Sequence, residues 1–201
     1  MITSRHKSDE GRTGTHGKIF GAIFELSELE AEWARRLQEA EARAHQSGRS
    51  DVADYLALRA LNDVARGVGI EWLLAAFTAH ASEANASAGA RIEVTRADEH
   101  RFAVGNSTMV GRLLKLTSGV RVLTVEAGWP RTPRDGIVRG GGLASARISH
   151  FGKRRDDDEL LLVQDAGDTV AAPRWLILEA TGARPALEEA RVRWHVSKLL
   201  H

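Results

Sequence analysis

Residues 126–142 concentrate side chains whose chemistry suits a binding site. The stretch holds one tryptophan, three arginines and five glycines. Arginine guanidinium groups bind carboxylates and phosphates through paired hydrogen bonds, and a neighbouring tryptophan can stack on a ring or a base. Glycine allows positive φ and a close approach of the backbone to a ligand. The sequence therefore predicts a binding loop. Its candidate contact residues are Trp129, Arg131, Arg134, Arg139, Gly140, Gly141 and Gly142.

Alternatively, the same loop only connects two strands, with Trp129 buried and the arginines exposed to solvent. Loops longer than about a dozen residues in compact domains tend to be functional or disordered. However, the glycines are not followed by the Lys-Ser or Lys-Thr pair of a phosphate-binding loop, and no GxGxxG motif follows a strand. The sequence leaves both interpretations open and does not identify a ligand.

A second basic cluster, Lys153-Arg154-Arg155, lies after the next predicted strand. We predict that it belongs to the same recognition surface, because its charge suits phosphates and acidic side chains. The four acids that follow, residues 156–159, should neutralise much of this charge. The three adjacent aspartates lack the spacing of a calcium-binding loop, and the chain has no cysteine. The sequence therefore predicts no metal and no cofactor.

Glu126, Asp135 and His150 form a weak candidate set for acid–base catalysis. Glu126 ends a strand, which is a common place for catalytic groups, but nothing in the sequence shows that the three side chains converge. The GxSxG, HExxH and SxxK motifs of known catalytic sites are absent. A lone histidine on the apolar face of a strand is more often a core or rim residue than a catalyst. The catalytic residues are thus unknown, and the sequence favours a binding protein over an enzyme.

Charge is distributed unevenly along the chain. The net charge is +1 over 201 residues, yet residues 129–155 carry seven bases and one acid, whereas residues 19–90 carry eleven acids and six bases. Either the basic segment faces the acidic helices, within one chain or between subunits, or it binds an anionic partner. The near-neutral total makes nucleic acid the weakest of these partners.

The first half of the chain has helical periodicity. Apolar residues spaced by three and four predict a helix from Ile19 to about residue 46, whose apolar face packs within the chain or forms an assembly face. A second helix is predicted from Ser50, with its end at Gly67-Val68-Gly69. A third helix follows over residues 70–86. The polar residues 1–17 predict a flexible tail.

After Arg91 the apolar period changes from about four to about two, which predicts strands. Residues 97–100 indicate a hairpin turn between two short strands. Residues 107–116 fit a short helix slightly better than a strand. Pro185 is well placed to begin a last helix. Further strands are predicted at residues 120–127, 143–151, 160–164 and 175–180.

Helices followed by strands predict the α+β class. We expect about three N-terminal helices, a mostly antiparallel sheet of five or six strands and a C-terminal helix. Residues 18–88 would form the helical region and residues 89–201 the sheet region, in one compact unit with helices covering one face of the sheet. The sequence shows no secretory signal and no apolar segment of membrane-spanning length, so we expect a soluble, cytoplasmic protein.

Three hypotheses on function follow. The first is a binding or assembly protein whose basic loops, 129–142 and 150–155, recognise a protein partner, a second copy of the chain or an anionic ligand. The second is a small cofactor-free enzyme that acts on an anionic substrate, and it requires Glu126 and His150 in one pocket as acid and base. The third is a nucleic-acid-binding module that uses the same basic residues.

Overall fold

The structure, a computed structural model, describes residues 28–87, 89–164 and 172–200. Helices α1 (Glu28–Gln46) and α2 (Ser50–Ser87) precede six strands, and helix α3 (Glu189–Leu200) follows them. This arrangement confirms the predicted α+β class. The predicted tail at residues 1–17 and the start of the first predicted helix lie outside the described residues. The strands are β1 (Glu93–Val104), β2 (Ser107–Ser118), β3 (Arg121–Trp129), β4 (Ala144–His150), β5 (Asp158–Val163) and β6 (Arg174–Ile177).

Helix α2 runs without a break through Gly67-Val68-Gly69, so the helix end predicted there is wrong. Neither glycine has the positive φ that a helix-ending glycine adopts. Gly69 instead lies where α2 packs against the sheet. A Cβ built on it would lie 2.6 Å from Cδ1 of Leu162, and its carbonyl oxygen accepts a 2.8 Å hydrogen bond from Nε1 of Trp175. The missing side chain lets the helix and the sheet approach each other closely.

Alanine substitutions at the two glycines of α2 are expected to act in opposite directions. Gly67 has open space around it, so Gly67→Ala should raise the free energy of unfolding by about 0.5–1 kcal/mol through helix propensity. Gly69→Ala should lower it by about 1–3 kcal/mol, because the added methyl group displaces the side chain of Leu162. Denaturant unfolding followed by circular dichroism measures both effects. Two changes of the same sign would contradict the packing role of Gly69.

The six strands form one antiparallel sheet in which each strand pairs with the next along the chain. Because β2 covers Ser107–Ser118, the short helix predicted over residues 107–116 is wrong. Burial alternates along this strand, since Leu114 and Leu116 are buried and Lys115 between them is exposed. That alternation is the period-two pattern of a strand.

Residues 97–100 do not form the predicted hairpin turn, because β1 continues through them. Two residues of β1, Asp98 and Glu99, here oppose the single residue Arg112 of β2, and Glu99 has a φ of 60°. Such a two-for-one bulge adds a residue to one strand and kinks it. The extra residue also reverses which face of the sheet His100 lies on.

The sheet has two different faces. The inner face packs against α2 and α3 and forms the hydrophobic core, whereas the outer face carries the intervening residues of each strand. Core side chains from the central strands are Leu114, Leu116, Leu123, Val125, Ala127, Ala146 and Ile148, and they meet Leu73 and Phe77 of α2 and Val192 and Val196 of α3.

The C-terminal helix begins later than predicted. Its first residue is Glu189 and not Pro185. Residues 185–187 instead run along β6. The backbone N–H of Ile177 donates to the carbonyl oxygen of Pro185 at 2.8 Å, and the N–H of Leu187 donates to the carbonyl oxygen of Trp175 at 2.8 Å. Proline is tolerated at a sheet edge, where its lack of an N–H breaks no ladder.

Helix α1 packs on the N-terminal half of α2. Leu37 of α1 and Ala53 of α2 are buried, and Nε1 of Trp33 donates a 3.2 Å hydrogen bond to Asp63 of α2. The two helices form a hairpin in which α1 occupies one side of α2. In the part of the chain that the structure describes, no helix is both long enough and apolar enough to cross a membrane.

Candidate functional site

The long loop after β3, residues 130–143, lies across one end of the outer face. The backbone N–H of Ile137 donates to Oγ of Ser107 at 3.2 Å. Gly140 and Gly142 both lie against the side chain of Leu161 on β5, where a Cβ at Gly142 would clash. The glycines that suggested contact with a ligand therefore allow the loop to pack on its own sheet.

Asp135 organises this loop. One of its carboxylate oxygens accepts hydrogen bonds from the backbone N–H and the hydroxyl of Thr132 at 3.0 and 2.9 Å. The other oxygen accepts from Arg101 at 2.8 Å. These bonds, led by that of the Thr132 hydroxyl, lower the pKa of Asp135. A carboxylate stabilised in its charged form is a weak base, so we assign Asp135 a structural role.

Trp129 belongs to the core and is not an exposed anchor. The residue is 7% exposed. The guanidinium carbon of Arg131 lies 3.6 Å from the centroid of the indole ring, and that of Arg66 lies 5.6 Å from it. Both distances suit cation–π attraction. Arg131 therefore contacts the face of Trp129, and the predicted role of Trp129 as a contact residue for a partner is not supported.

Arg134 and Arg139, the two other arginines of the loop, are exposed and form no ion pair with any described residue. The guanidinium of Arg139 packs over Gly105, in the turn between β1 and β2. Gly141 has a φ of 77° and open space around it. This end of the sheet therefore keeps positive charge.

Glu126 lies on the outer face, where both of its carboxylate oxygens have partners. Its Oε1 lies 2.7 Å from Nε2 of His100, and its Oε2 accepts from Nε of Arg147 at 3.0 Å. His100 reaches Glu126 across β2, which has no side chain at Gly111. Arg147 is the direct neighbour of Glu126 on β4. These contacts link β1, β3 and β4 across the outer face.

His150 lies on the inner face, opposite to Glu126. It pairs in register with the core residue Leu123, whereas Glu126 is three residues further along β3. Side chains alternate between faces along a strand. Glu126 and His150 therefore cannot reach one pocket, so the acid–base pair predicted for the enzyme hypothesis is wrong.

His150 joins a buried hydrogen-bond network that the sequence analysis missed. Its Nε2 lies 2.9 Å from Nδ1 of His195, and Nε2 of His195 lies 2.9 Å from Oδ2 of Asp158. Arg191 donates to both oxygens of Asp158 at 2.7 and 2.8 Å. The network joins β4 and β5 to α3. Its signal in the sequence was the helical spacing of Val192, His195 and Leu199, which places a histidine on the apolar face of α3.

The protonation states of this network follow from its geometry. A carboxylate only accepts, so Nε2 of His195 carries a proton. Burial opposes ionisation of Asp158, but hydrogen bonds from His195 and Arg191 outweigh it and hold the pKa of Asp158 far below its usual range. Burial first, and the neighbouring His195 second, lower the pKa of His150 and favour its neutral form. We therefore assign this network a structural role: its hydrogen bonds hold α3 against the sheet.

The best candidate for a binding surface lies at the other end of the sheet. The β2–β3 turn carries Val120, which is 90% exposed, and the β4–β5 connection carries Phe151, which is 80% exposed. Three exposed cations follow Phe151. The two connections adjoin, because the N–H of Phe151 donates to the carbonyl oxygen of Val122 in β3 at 2.9 Å. We name this surface the basic tip. It consists of Val120, Phe151, Lys153, Arg154 and Arg155.

The aspartates after the basic tip, which the sequence suggested would neutralise it, do not form ion pairs with its cations. Oδ1 of Asp157 accepts from the backbone N–H of His150 at 2.9 Å. Asp158 is buried in the network described above, and the Asp156 carboxylate lies 3.9 Å from Nζ of Lys198. All three aspartates thus face other partners. Among the described residues, none forms an ion pair with a cation of the basic tip.

The two basic loops do not form one surface, so this part of the prediction is wrong. Strand β4 (Ala144–His150) connects them, and they therefore lie at its opposite ends. A strand of 7 residues spans about 23 Å at roughly 3.3 Å per residue. A small ligand cannot contact both.

Comparison with known proteins gives no relative for this chain. No protein-family model, no curated protein and no solved structure matches it. Its function is therefore inferred from the geometry.

Proposed function

We propose that the protein works by binding another protein through the basic tip. The observation that carries this proposal is a phenylalanine, Phe151, that is 80% exposed beside three cations. Full burial of such a side chain contributes a favourable free energy of about 1.5–3 kcal/mol. In the folded chain Phe151 remains mostly in solvent, so most of this free energy is not realised. Binding of a partner that covers Phe151 would be stabilised by this free energy of burial.

The chemistry of the basic tip defines the partner. Aromatic and arginine side chains contribute most of the binding energy in protein interfaces. Lysine and arginine around an apolar centre attract an acidic surface and orient it. The matching surface is an apolar pocket for Phe151, bordered by aspartate and glutamate side chains.

The basic tip is held by the fold at both of its ends. His150, just before Phe151, is hydrogen-bonded to His195. Asp157 closes the connection by accepting from the N–H of His150, and Asp158 is tied to Arg191. A loop fixed in this way loses less conformational entropy on binding than a free one. The buried network thus supports recognition without touching the partner.

A photo-crosslinker at the basic tip tests the proposal. The full chain is expressed in its own host with p-benzoylphenylalanine in place of Phe151, and crosslinked products are identified by mass spectrometry. We expect a protein crosslinked at this position. The double substitution Arg154→Glu with Arg155→Glu should reduce its yield about tenfold or more, because two reversed charges repel an acidic border.

Arg134→Glu is the matched control. Arg134 is also exposed and without an ion pair among the described residues, but it lies at the other end of β4, so its reversal should leave the yield unchanged. The proposal would be overturned if the double substitution Arg154→Glu with Arg155→Glu left the crosslinking yield unchanged. The absence of any crosslinked protein would also overturn it. Crosslinking to nucleic acid would replace it with the third hypothesis.

A further inference from the structure

An open groove lies between α3 and the segment that follows β6. It consists of two cavities of about 490 and 420 Å³, and Arg191 lines both of them. Cavities of this size hold drug-sized ligands, so they have room for side chains of a bound partner. We name this surface the α3 groove. Its apolar lining residues are Pro185, Ala186, Ala190 and Trp194 in the first cavity and Ile177 and Leu178 in the second.

The border of the α3 groove is acidic. Glu188 lines the first cavity and Glu179 the second, and both residues are exposed. Neither glutamate forms an ion pair with any described residue. Arg191, the one base that lines the groove in the described part of the chain, already donates to both carboxylate oxygens of Asp158. The α3 groove therefore presents two carboxylates without ion pairs beside apolar walls.

The α3 groove has the chemistry that the basic tip requires of a partner. That partner surface is an apolar pocket for Phe151 with an acidic border, and the α3 groove combines apolar walls with Glu179 and Glu188. Phe151 is 80% exposed, so the basic tip does not occupy the α3 groove of its own chain. The matching surface is thus left for another copy.

The basic tip and the α3 groove are neighbours in the fold. Trp194 of the groove lies edge-on to His150, which directly precedes Phe151, with 6.4 Å between the ring centroids. The Asp156 carboxylate, just after the basic tip, lies 3.9 Å from Nζ of Lys198 on α3. Because the two surfaces adjoin, two copies can exchange them around one two-fold axis, so that both contacts form in one closed dimer.

We propose that the basic tip of one copy of this chain binds the α3 groove of a second copy, and that the second basic tip binds the first groove in return. This inference rests on the proposed function and names its partner. Phe151 is buried between the apolar walls of the other copy. Arg154 and Arg155 face Glu179 and Glu188 of that copy, where they form charge-assisted hydrogen bonds.

Charge reversal on each side of the contact tests the dimer by sedimentation velocity of the full chain. We expect the wild-type chain to sediment as a dimer. The tip variant carries Arg154→Glu with Arg155→Glu, and the groove variant carries Glu179→Lys with Glu188→Lys. Each variant alone brings like charges together in both contacts. Its dimer dissociation constant should rise about tenfold or more, with an unchanged far-ultraviolet circular dichroism spectrum.

A one-to-one mixture of the tip variant and the groove variant is the decisive sample. In the mixed pair an acidic tip meets a basic groove and a basic tip meets an acidic groove, so the dimer should return. Glu93→Lys with Asp54→Lys is the matched control, because these exposed acids lie on β1 and α2 and do not line the groove. It should remain a dimer. A monomeric wild-type chain, or a mixture that stays monomeric, overturns the proposal.

The photo-crosslinking experiment separates this inference from the proposed function. A second copy of this chain crosslinked to p-benzoylphenylalanine at position 151 supports both. If the only crosslinked protein is a different one, the proposed function stands and the dimer is overturned. If no protein is crosslinked and the wild-type chain is a monomer, both are overturned.

Discussion

Asp158→Ala is expected to lower the free energy of unfolding by about 2–3 kcal/mol. This is below the roughly 3–5 kcal/mol for breaking a fully buried ion pair from one side, because the side chain of Arg191 is 36% exposed and water solvates part of its charge. The substitution leaves the guanidinium of Arg191 and the Nε2 proton of His195 without their shared acceptor. His195 is completely buried, so water does not replace that acceptor without opening the core. Urea denaturation at neutral pH measures the change.

Asp156→Ala is the control for this substitution, since Asp156 is two residues away and its nearest cation, Lys198, lies at 3.9 Å. Its expected change is within about 0.5 kcal/mol, as for other surface positions. Equal effects of the two substitutions would contradict the role of the buried network.

The same network makes stability depend on pH. The pKa of Asp158 is lowered from its ordinary value of 3.8, so its contribution is present above about pH 4 and is lost as the pH falls through the folded pKa. The pKa of His150 is lowered from 6.5, so the unfolded chain takes up this proton first and stability also declines below about pH 6.5. The stability difference between the wild-type chain and Asp158→Ala should therefore shrink in acid below about pH 4.

Gly111→Ala is expected to lower the free energy of unfolding by about 3 kcal/mol or more. Gly111 pairs with Gly128 at the centre of the sheet, and a Cβ on it would meet the carbonyl oxygen of Ala127 far inside contact distance. Overpacking against side chains typically costs about 1–3 kcal/mol. Here the obstacle is backbone, which cannot rotate away, so β2 and β3 must separate.

Two measurements separate this local effect from a general loss of folding. Thermal unfolding gives the change in stability, and amide exchange of β2 and β3 reports where the sheet opens. Gly67→Ala, in open space on α2, is the matched control and should unfold no earlier than the wild-type chain. A Gly111→Ala protein as stable as the wild type would show that the two strands do not pack this closely.

The class of the fold could be predicted from periodicity, because a change of apolar spacing from about four to about two reflects helices and strands directly. The errors came from residues whose role depends on contacts distant in sequence. Gly67-Val68-Gly69 resembles a helix end, but Gly69 faces Leu162. Residues 97–100 resemble a turn, but the continuation of β2 opposite them makes a bulge.

The candidate sites were harder to predict for the same reason. The net charge around Lys153 follows from where Asp156, Asp157 and Asp158 point, and this depends on contacts with α3 and β4. From the sequence, Trp129 could be either a core residue or an exposed contact residue. Only the packing of the folded sheet distinguishes the two. For His150 the sequence favours a core or rim residue over a catalyst, while keeping it as a weak catalytic candidate. Its partner His195 is 45 residues away, beyond any local pattern.

The bulge in β1 and the segment 185–187 along β6 have a joint consequence for association. Open sheet edges invite strand addition and aggregation, and natural proteins block them with bulges, charges and covering segments. β1 is kinked at Asp98 and Glu99 and is exposed along most of its length, while residues 185–187 shield β6. Among the described residues, neither border of the sheet offers a long, flat ladder for β-augmentation, which favours a partner that binds by side-chain contacts.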